Sequence, residues 1–182
     1  MQKIILIAGP SGAGKTTISE YLTKKFGIPR VITHTTRPMR PGEVANKSYY
    51  FENNASFSKL HFFEHVRYGS YQYGSSKEAL ARAWKKNDIV SLIVNIEGAA
   101  SYIKQLDKQV FFLYVTTSTR TELKERLLKR GDDPKKIAER LSGNELNLLP
   151  DSLKRDAHII LNDNWDKTKR KLNAIIAGLQ AN

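Results

Sequence analysis

The chain has 182 residues, of which 40% are hydrophobic and 26% charged, a composition typical of one globular domain that excludes an intrinsically disordered chain. It has no cysteine, which excludes disulfides, thiolate metal sites and a cysteine nucleophile. Lysine and arginine total 30 against 18 aspartates and glutamates, and the formal net charge of +12 favours anionic partners such as phosphorylated metabolites or nucleic acid.

The first half of the chain is predicted to begin with a strand and a helix. Residues 3–8 are a short β-branched run that ends at Gly-Pro, which is typical of a buried strand. Residues 15–26 carry apolar side chains at helical spacing and end at Gly27, a good helix stop. A second strand is predicted at about 30–35. Residues 37–75 are aromatic and lack helical period, so we predict a small antiparallel insertion there.

The second half of the chain alternates helices with strands. After a helix at about 76–86, the apolar run "DIVSLIVNI" predicts a strand buried on both faces. Two more strands are predicted in "QVFFLYV" and "AHIILN", and four more helices at 98–106, 118–130, 134–148 and 165–180. The alternation favours an α/β fold with a five-stranded parallel sheet flanked by helices.

The segment "GPSGAGKT" has a spacing suited to phosphate. Gly9, Gly14, Lys15 and Thr16 match G-x-x-x-x-G-K-[ST] between a predicted strand and a predicted helix. Glycines let successive backbone N–H groups point into one concavity, and the helix that follows adds free N–H groups and the positive end of its dipole. Lys15 can reach the terminal phosphates of a nucleotide, and the hydroxyl of Thr16 can ligate Mg²⁺. The predicted ATP-binding loop comprises Gly9, Pro10, Ser11, Gly12, Ala13, Gly14, Lys15, Thr16 and Thr17.

A second basic segment follows the predicted second strand. In "THTTRPMRPGE", Arg37 and Arg40 lie three residues apart in a proline-rich, non-helical stretch. The prolines stiffen the segment and lower the entropy lost when the guanidinium groups are fixed. Phosphoryl transfer must hold a second polyanion close to the donor nucleotide, so cations must neutralise the charge of both. Two guanidinium groups suit this task because each can bind a phosphate through two hydrogen bonds. On these residues alone, the alternative is an exposed basic loop.

With these motifs in place, the chain resembles guanylate kinase from about residue 2 to residue 175. The resemblance rests on "GPSGAGKTT", "TTRPMRPGE" with "KSYYF", "FFEH", "YQYGSSKEA", "ERLLKRGDD" and "AERL", which occur in the order that this family uses. It implies a P-loop kinase fold in a single domain, residues 1–182. Its parts would be a core at about 1–32, 76–125 and 150–182, a GMP-binding insertion at about 33–75 and a helical lid at about 126–149.

The resemblance also implies roles for individual residues. Those expected to bind the phosphate of GMP are Arg37, Arg40, Tyr49 and Tyr73. Glu64 is expected to accept from the N1 and amino hydrogens of guanine, with Thr33 and Ser75 donating to its carbonyl or ring nitrogen. The groups expected to clamp ATP and the transferring phosphoryl are Arg126, Arg130 and Arg140, the last also contacting GMP, while Asn162 and Asp163 are placed near the adenine. The catalytic cations would be Lys15, Arg37, Arg126, Arg130 and Arg140.

The chain departs from the family in the strand "SLIVNIEG". Ile93 and Asn95 stand where members usually carry two aspartates, of which the first helps organise Mg²⁺ and the second meets the guanine amino group. We expect Asn95 to accept from that amino group through its side-chain oxygen. We expect Mg²⁺ to be held by Thr16, the phosphates and water, with Glu97 close by.

The function predicted from these features is ATP-dependent, Mg²⁺-assisted phosphorylation of GMP, and of dGMP, in purine nucleotide metabolism. A soluble, cytoplasmic protein is expected, because no run approaches the ~18 apolar residues of a membrane helix. Its expected partners are the nucleotides ATP and GMP, as a monomer or homodimer. Three alternatives stay open: a kinase of a sugar phosphate such as ribose 1,5-bisphosphate, a binding module that has lost catalysis, and nucleic-acid binding driven by the basic charge. No recognisable nucleic-acid motif supports the last.

Overall fold

The computed structural model describes residues 1–142 and 148–181, which form two sheets and their surrounding helices. The strands are β1 (Lys3–Ala8), β2 (His34–Thr35), β3 (Tyr50–Phe51), β4 (Phe62–Tyr68), β5 (Tyr71–Ser76), β6 (Ile89–Ile93), β7 (Val110–Thr116) and β8 (Ala157–Leu161). The helices are α1 (Lys15–Phe26), α2 (Asn54–Phe57), α3 (Lys77–Trp84), α4 (Ile96–Leu106), α5 (Arg120–Lys129), α6 (Pro134–Ser142) and α7 (Trp165–Ala181). Short 3₁₀ turns occupy Asp107–Gln109 and Asp151–Leu153.

The main sheet is parallel and has the order β6-β1-β7-β8. The predicted fifth strand is reduced to a single bridge between Arg30 and Ser91 on the free side of β6. Two backbone hydrogen bonds form it, from Ser91 to Pro29 and from Val31 to Ser91. The chain then leaves this sheet, and His34 and Thr35 join the second sheet instead, so the segment predicted as one strand serves both.

Both faces of the main sheet are covered, as a parallel sheet requires. Along β1 the fully buried side chains alternate: Ile4 and Leu6 pack with Leu80 of α3 and with α4. Ile5 and Ile7 pack on the other face, against α1 and α7. This arrangement leaves the carboxyl ends of the strands open for ligands, which bind at that edge in open α/β sheets. Within the described ranges, no helix combines the length and apolarity needed to cross a bilayer.

The second sheet has the order β3-β2-β5-β4 and lies where the insertion is predicted. Its pairs are antiparallel except for β2 with β3, which run parallel. Strands β4 and β5 form a hairpin closed between Tyr68 and Tyr71, with Gly69 at positive φ in the turn. The register of β4 shifts between Phe62 and Glu64, so Phe63 is a bulged residue. Bulges re-aim side chains, and this one lies beside a candidate site.

Several predicted elements have different bounds in the structure. The strand "DIVSLIVNI" ends at Ile93 because the side chain of Asn95 accepts a hydrogen bond from the Gly98 N–H and caps α4, which therefore starts at Ile96. Helix α5 starts at Arg120, capped by Thr119. The helix predicted at 134–148 is described over Pro134–Ser142; residues 143–147 lie outside the described ranges, and 148–150 are not helical.

Candidate nucleotide-binding sites

The loop between β1 and α1 requires glycine at both ends of its motif. Gly9 has φ 138° and Gly14 has φ 96°, values that other residues rarely adopt. A Cβ atom on Gly9 would overlap the carbonyl oxygen of Val115, and one on Gly14 would overlap the side-chain amide of Asn162. The loop is therefore packed tightly against β7 and the residue that follows β8. The first residues of α1, Lys15 to Thr17, follow directly.

Lys15 lies folded over the rim of this loop. Its Nζ donates to the carbonyl oxygens of Gly9 at 2.7 Å and Pro10 at 2.8 Å. Burial, and then the nearby charge of Arg130, lower the pKa of Lys15 to about 8. The ammonium thus sits in a partly dehydrated, electropositive site that an anion would neutralise.

A buried side-chain amide supports the loop. Asn162 donates from Nδ2 to the Ala13 carbonyl oxygen at 2.8 Å and accepts from the Thr168 hydroxyl at 2.9 Å. Asn162 was expected near adenine; its side chain is committed to the loop, and its role toward ATP stays a prediction. Asp163 accepts from the backbone N–H of Ser118 at 2.9 Å and from the Ser118 hydroxyl.

The described arginines of the predicted lid region reach the same loop. Arg126 donates to the Asn162 carbonyl oxygen at 2.7 Å and to Glu122 at 2.9 Å. Arg130 pairs with Asp132. A cavity of about 410 Å³ lies between the loop and α5; its lining residues are Ser11, Gly12, Gly14, Lys15, Thr16, Thr17, Arg126, Leu127 and Arg130. The structure thus joins most of the predicted ATP set; Arg140 lies on α6, and its side chain is outside the described part.

The second basic segment forms a cluster on the second sheet. Arg37 is only 6% exposed and donates to both carboxylate oxygens of Glu43, at 3.0 and 2.7 Å. These hydrogen bonds raise the pKa of Arg37. Its guanidinium carbon lies 5.7 Å from the ring centroid of Tyr49, which meets Tyr73 edge-on at 6.2 Å. Arg37, Tyr49 and Tyr73 thus lie together, and Arg40 follows with its side chain exposed; the binding of a phosphate by these four residues stays a prediction.

Glu43 is the residue of this cluster that the sequence analysis missed. It accepts from the backbone N–H of Arg40 at 2.8 Å as well as from Arg37. The carboxylate therefore holds the two predicted phosphate-binding residues in one loop conformation. Its position in "RPGE", six residues after Arg37, was a signal for this ion pair.

Another polar group lies where β4 and β5 meet α4. Glu64 and Ser75 are directly opposite each other in the antiparallel pair. Burial, and then the charge of Glu97, raise the pKa of Glu64. A Cβ atom on Gly98 would lie 2.5 Å from Glu64 Oε2 and 3.0 Å from Asn95 Oδ1, so both side chains meet at the start of α4. Thr33 precedes β2, and its carbonyl accepts from the N–H of Tyr50 at 2.8 Å.

The side-chain oxygen of Asn95, expected to accept from guanine, accepts a hydrogen bond within the protein. The Oδ1 atom accepts from the Gly98 N–H at 2.7 Å as the cap of α4. This oxygen therefore already has a strong donor, and a contact between Asn95 and a ligand base stays a prediction.

The glycine loop carries Lys15 and Thr16 at the carboxyl edge of a parallel sheet and shares a cavity with Arg126 and Arg130. This arrangement defines a P-loop phosphotransferase. A family model for guanylate kinase matches residues 1–179. The guanylate kinase of Caldanaerobacter subterraneus subsp. tengcongensis is 31% identical over 181 residues, which is 95% of this chain and 85% of that protein. The guanylate kinase of Thermus thermophilus is 30% identical over 183 residues, 96% of this chain and 80% of that protein. This chain therefore belongs to the guanylate kinase family and is a nucleoside monophosphate kinase.

A solved structure confirms the fold. The crystal structure of guanylate kinase from Anaplasma phagocytophilum aligns with a TM-score of 0.64 and 22% sequence identity, over 100% of this chain and 87% of that chain. The α/β architecture predicted from the alternating strands and helices is thus confirmed, with the separate small sheet in the place of the insertion.

Proposed function

We propose that this protein transfers the terminal phosphoryl group of ATP to GMP, giving GDP and ADP. The observation that carries the proposal is the half-buried carboxylate of Glu64, set opposite Ser75 across β4 and β5, where burial and the charge of Glu97 raise its pKa. Guanine offers two N–H donors on one edge, and a carboxylate accepts both. Adenine offers a different pattern and would leave the charge of Glu64 without a partner, which is costly in a partly buried site.

The phosphate of GMP is assigned to the cluster around Arg37. A phosphate there would compete with Glu43 for the guanidinium of Arg37 and would take further donors from Arg40, Tyr49 and Tyr73. The proposal extends to dGMP, because the contacts assigned to the acceptor involve its base and phosphate and none requires a 2′-hydroxyl.

ATP is assigned to the loop of residues 9–17. Lys15 would exchange its two carbonyl partners for phosphate oxygens, and the bound anion would keep the lysine charged. Arg126 and Arg130 line the same cavity, and with Arg140 they are the cations proposed to neutralise the transferring group. Because the acceptor phosphate is already an anion, the step depends on positioning and charge more than on a general base.

Mg²⁺ is proposed to be held mainly by the nucleotide. The described residues contain no cluster of three or more histidine, aspartate or glutamate side chains suited to a metal ion. The exposed hydroxyl of Thr16 at the start of α1 suits a single protein ligand, with phosphate oxygens and water completing the shell. When bound, the ion would supply positive charge that neutralises the charge developing on the transferring group.

The acceptor is tested by turnover. The protein is incubated with ATP and Mg²⁺, and ADP release is followed with GMP, dGMP, AMP, CMP, UMP or ribose 1,5-bisphosphate. We expect turnover with GMP and dGMP. Turnover with the sugar bisphosphate alone would support the second candidate, which the apolar Ile93 in place of an acidic residue favours. No turnover with any acceptor would contradict both.

The base pocket is tested by Glu64→Gln. The amide keeps the size of the side chain but offers only one acceptor oxygen, so we expect KM for GMP to rise by about 10- to 100-fold, the cost of a lost charge-assisted hydrogen bond. KM for ATP should stay as in the parent. The matched control is Glu125→Gln, which makes the same change at an exposed position of α5 and should leave both constants unchanged. An equal loss for every acceptor would remove Glu64 from the base pocket.

A further inference from the structure

Two buried hydroxyl groups beside Glu64 lack a hydrogen-bond partner among the described residues. Ser75 and Tyr102 are both 0% exposed, and within the described residues neither Ser75 Oγ nor the Tyr102 hydroxyl has a hydrogen-bond partner. Leaving such a group unpaired costs roughly 1–3 kcal/mol, so native proteins keep few of them. Two together, in a site already assigned to a ligand, point to a ligand that satisfies them.

The backbone places both hydroxyls at one spot. Ser75 lies directly opposite Glu64 across β4 and β5. Tyr102 lies one turn beyond Gly98 on the same face of α4, and Gly98 is the residue over which the Glu64 carboxylate packs. The Tyr102 ring is stacked on bulged Phe63, with centroids 4.1 Å apart and planes at 23°. The bulge therefore turns Phe63 and Glu64 toward α4 together.

The pKa of Tyr102 also indicates that Ser75 and Glu64 lie close to its hydroxyl. Burial raises the pKa of the Tyr102 hydroxyl, the neighbouring Ser75 hydroxyl lowers it, and the Glu64 carboxylate raises it. Tyr102 therefore stays a neutral O–H donor, adjacent to Ser75 but short of hydrogen-bond geometry. A small movement of either side chain would connect the two groups.

We propose that Tyr102 is a positioning residue that sets the specificity of the base pocket for a 6-oxopurine. Its hydroxyl donates to Ser75 Oγ, and the Ser75 hydroxyl hydrogen is thereby directed at the 6-oxo oxygen of the bound base. Glu64 accepts from the adjacent N1–H. This inference rests on the proposed function, because it takes a purine monophosphate as the acceptor. An adenine amino group at the same place would set its hydrogens against the Ser75 hydrogen, so the pair rejects AMP as well as accepting GMP.

The test is Tyr102→Phe, which removes one oxygen and keeps the ring stacked on Phe63. Without nucleotide, its melting temperature should equal or exceed that of the parent, because an unpaired buried hydroxyl is lost. KM for GMP should rise about five- to tenfold, the loss of one hydrogen bond in a buried site, while KM for ATP and kcat at saturating GMP stay unchanged. Ser75→Ala should raise KM for GMP at least as much, and the double variant should match Ser75→Ala, since Tyr102 acts through Ser75.

Two comparisons separate this role from a structural one. Tyr21→Phe removes a hydroxyl that donates to Asn173 far from the pocket, and it should leave every kinetic constant unchanged. Tyr102→Phe should have no effect on the affinity for 2-aminopurine ribonucleoside monophosphate, which lacks the 6-oxo group. Binding of both ligands is measured by calorimetry without ATP, so the inference is tested even if the parent fails to turn over GMP, which would overturn only the phosphoryl transfer. Unchanged GMP affinity in Tyr102→Phe, or additive losses in the double variant, would overturn the inference.

Discussion

Lys15 shows how a single residue holds a charge ready for a polyanion. In the loop its pKa is lowered to about 8, first by burial and then by Arg130. Below that pH the ammonium is protonated and attracts phosphate; above it, the neutral amine no longer does. We therefore predict that kcat/KM for ATP is level below about pH 8 and falls up to tenfold per pH unit above it, since this ratio reports the free enzyme. Initial rates at saturating GMP across this range measure it.

Arg130 supplies a check on that assignment. Because the arginine charge lowers the pKa of Lys15, Arg130→Gln should move the alkaline midpoint of the pH profile upward while also slowing turnover. A midpoint unmoved in Arg130→Gln would mean that another group titrates.

Removal of the lysine tests the loop directly. Lys15→Ala should reduce turnover by about 1,000-fold or more, comparable to removal of other phosphate-clamping cations. Its thermal unfolding should stay close to that of the parent.

Some candidate residues can be identified from one short sequence motif, and others only from contacts between distant segments. Gly9, Gly14 and Lys15 could be identified because one loop contains the whole motif and its chemistry. The unpaired hydroxyl of Tyr102 could not, since an aromatic residue at helical spacing in α4 is indistinguishable from ordinary core until the strand opposite is known. The role of Asn95 could not be predicted either. Its oxygen caps α4 because the helix starts at Ile96, and the sequence did not show that start.

At the scale of elements, a glycine in α4 makes room for a side chain of β4. Gly98 lets the Glu64 carboxylate lie against the first turn of this helix, where a Cβ atom would stand 2.5 Å from Oε2. We predict that Gly98→Ala displaces the Glu64 side chain and raises KM for GMP at least about fivefold, the loss of one charge-assisted hydrogen bond. Stability should change little, because alanine's helix preference of about 1 kcal/mol offsets the crowding of a flexible side chain.

The matched control lies in α7. Among the described residues, a Cβ atom on Gly178 would meet no atom within 4 Å, so Gly178→Ala carries the same gain in helix propensity without the contact that Gly98→Ala makes with Glu64. It should raise the free energy of unfolding by about 0.5–1 kcal/mol and leave KM for GMP at the parent value. If Gly98→Ala also leaves KM unchanged, the contact between Gly98 and Glu64 does not position the carboxylate.

Element boundaries were harder to predict than element types. Strands β1 and β7 were recognisable because continuous apolar runs suit strands buried on both faces. The segment at 30–35 was predicted as one strand, but the chain changes sheets after Val31, and only long-range pairing of Ser91 on one side and Gly74 on the other decides this. The parallel pairing of β2 with β3 and the bulge at Phe63 likewise depend on partners distant in sequence.

At the scale of the whole molecule, a buried histidine joins the second sheet to the helix that returns to the main sheet. His34 is 0% exposed; its Nδ1 lies 2.9 Å from Glu52 Oε1 and its Nε2 lies 2.9 Å from Ser76 Oγ. Ser76 also accepts from the Ala79 N–H at the start of α3. The neutral ring therefore donates from Nδ1 and accepts at Nε2, an assignment made from the network. Protonation would place a second donor against the Ser76 hydroxyl.

We expect this link to make the stability of the fold sensitive to mild acid. Burial lowers the pKa of His34 below its usual 6.5; Glu52 opposes the shift, Arg82 adds to it and Glu78 opposes it. As the pH falls through 6.5 the unfolded chain binds a proton that the folded chain excludes, so stability is lost until the folded pKa is reached. We predict a decline in the free energy of unfolding of up to about 1.4 kcal/mol per pH unit from this residue, measured by urea denaturation between about pH 7.5 and pH 5. His34→Gln should flatten the decline even if it lowers stability throughout, whereas His65→Gln, an exposed position on β4, should keep it. The same slope in parent and His34→Gln would show that His34 does not titrate with folding in this range, and that another group causes the decline.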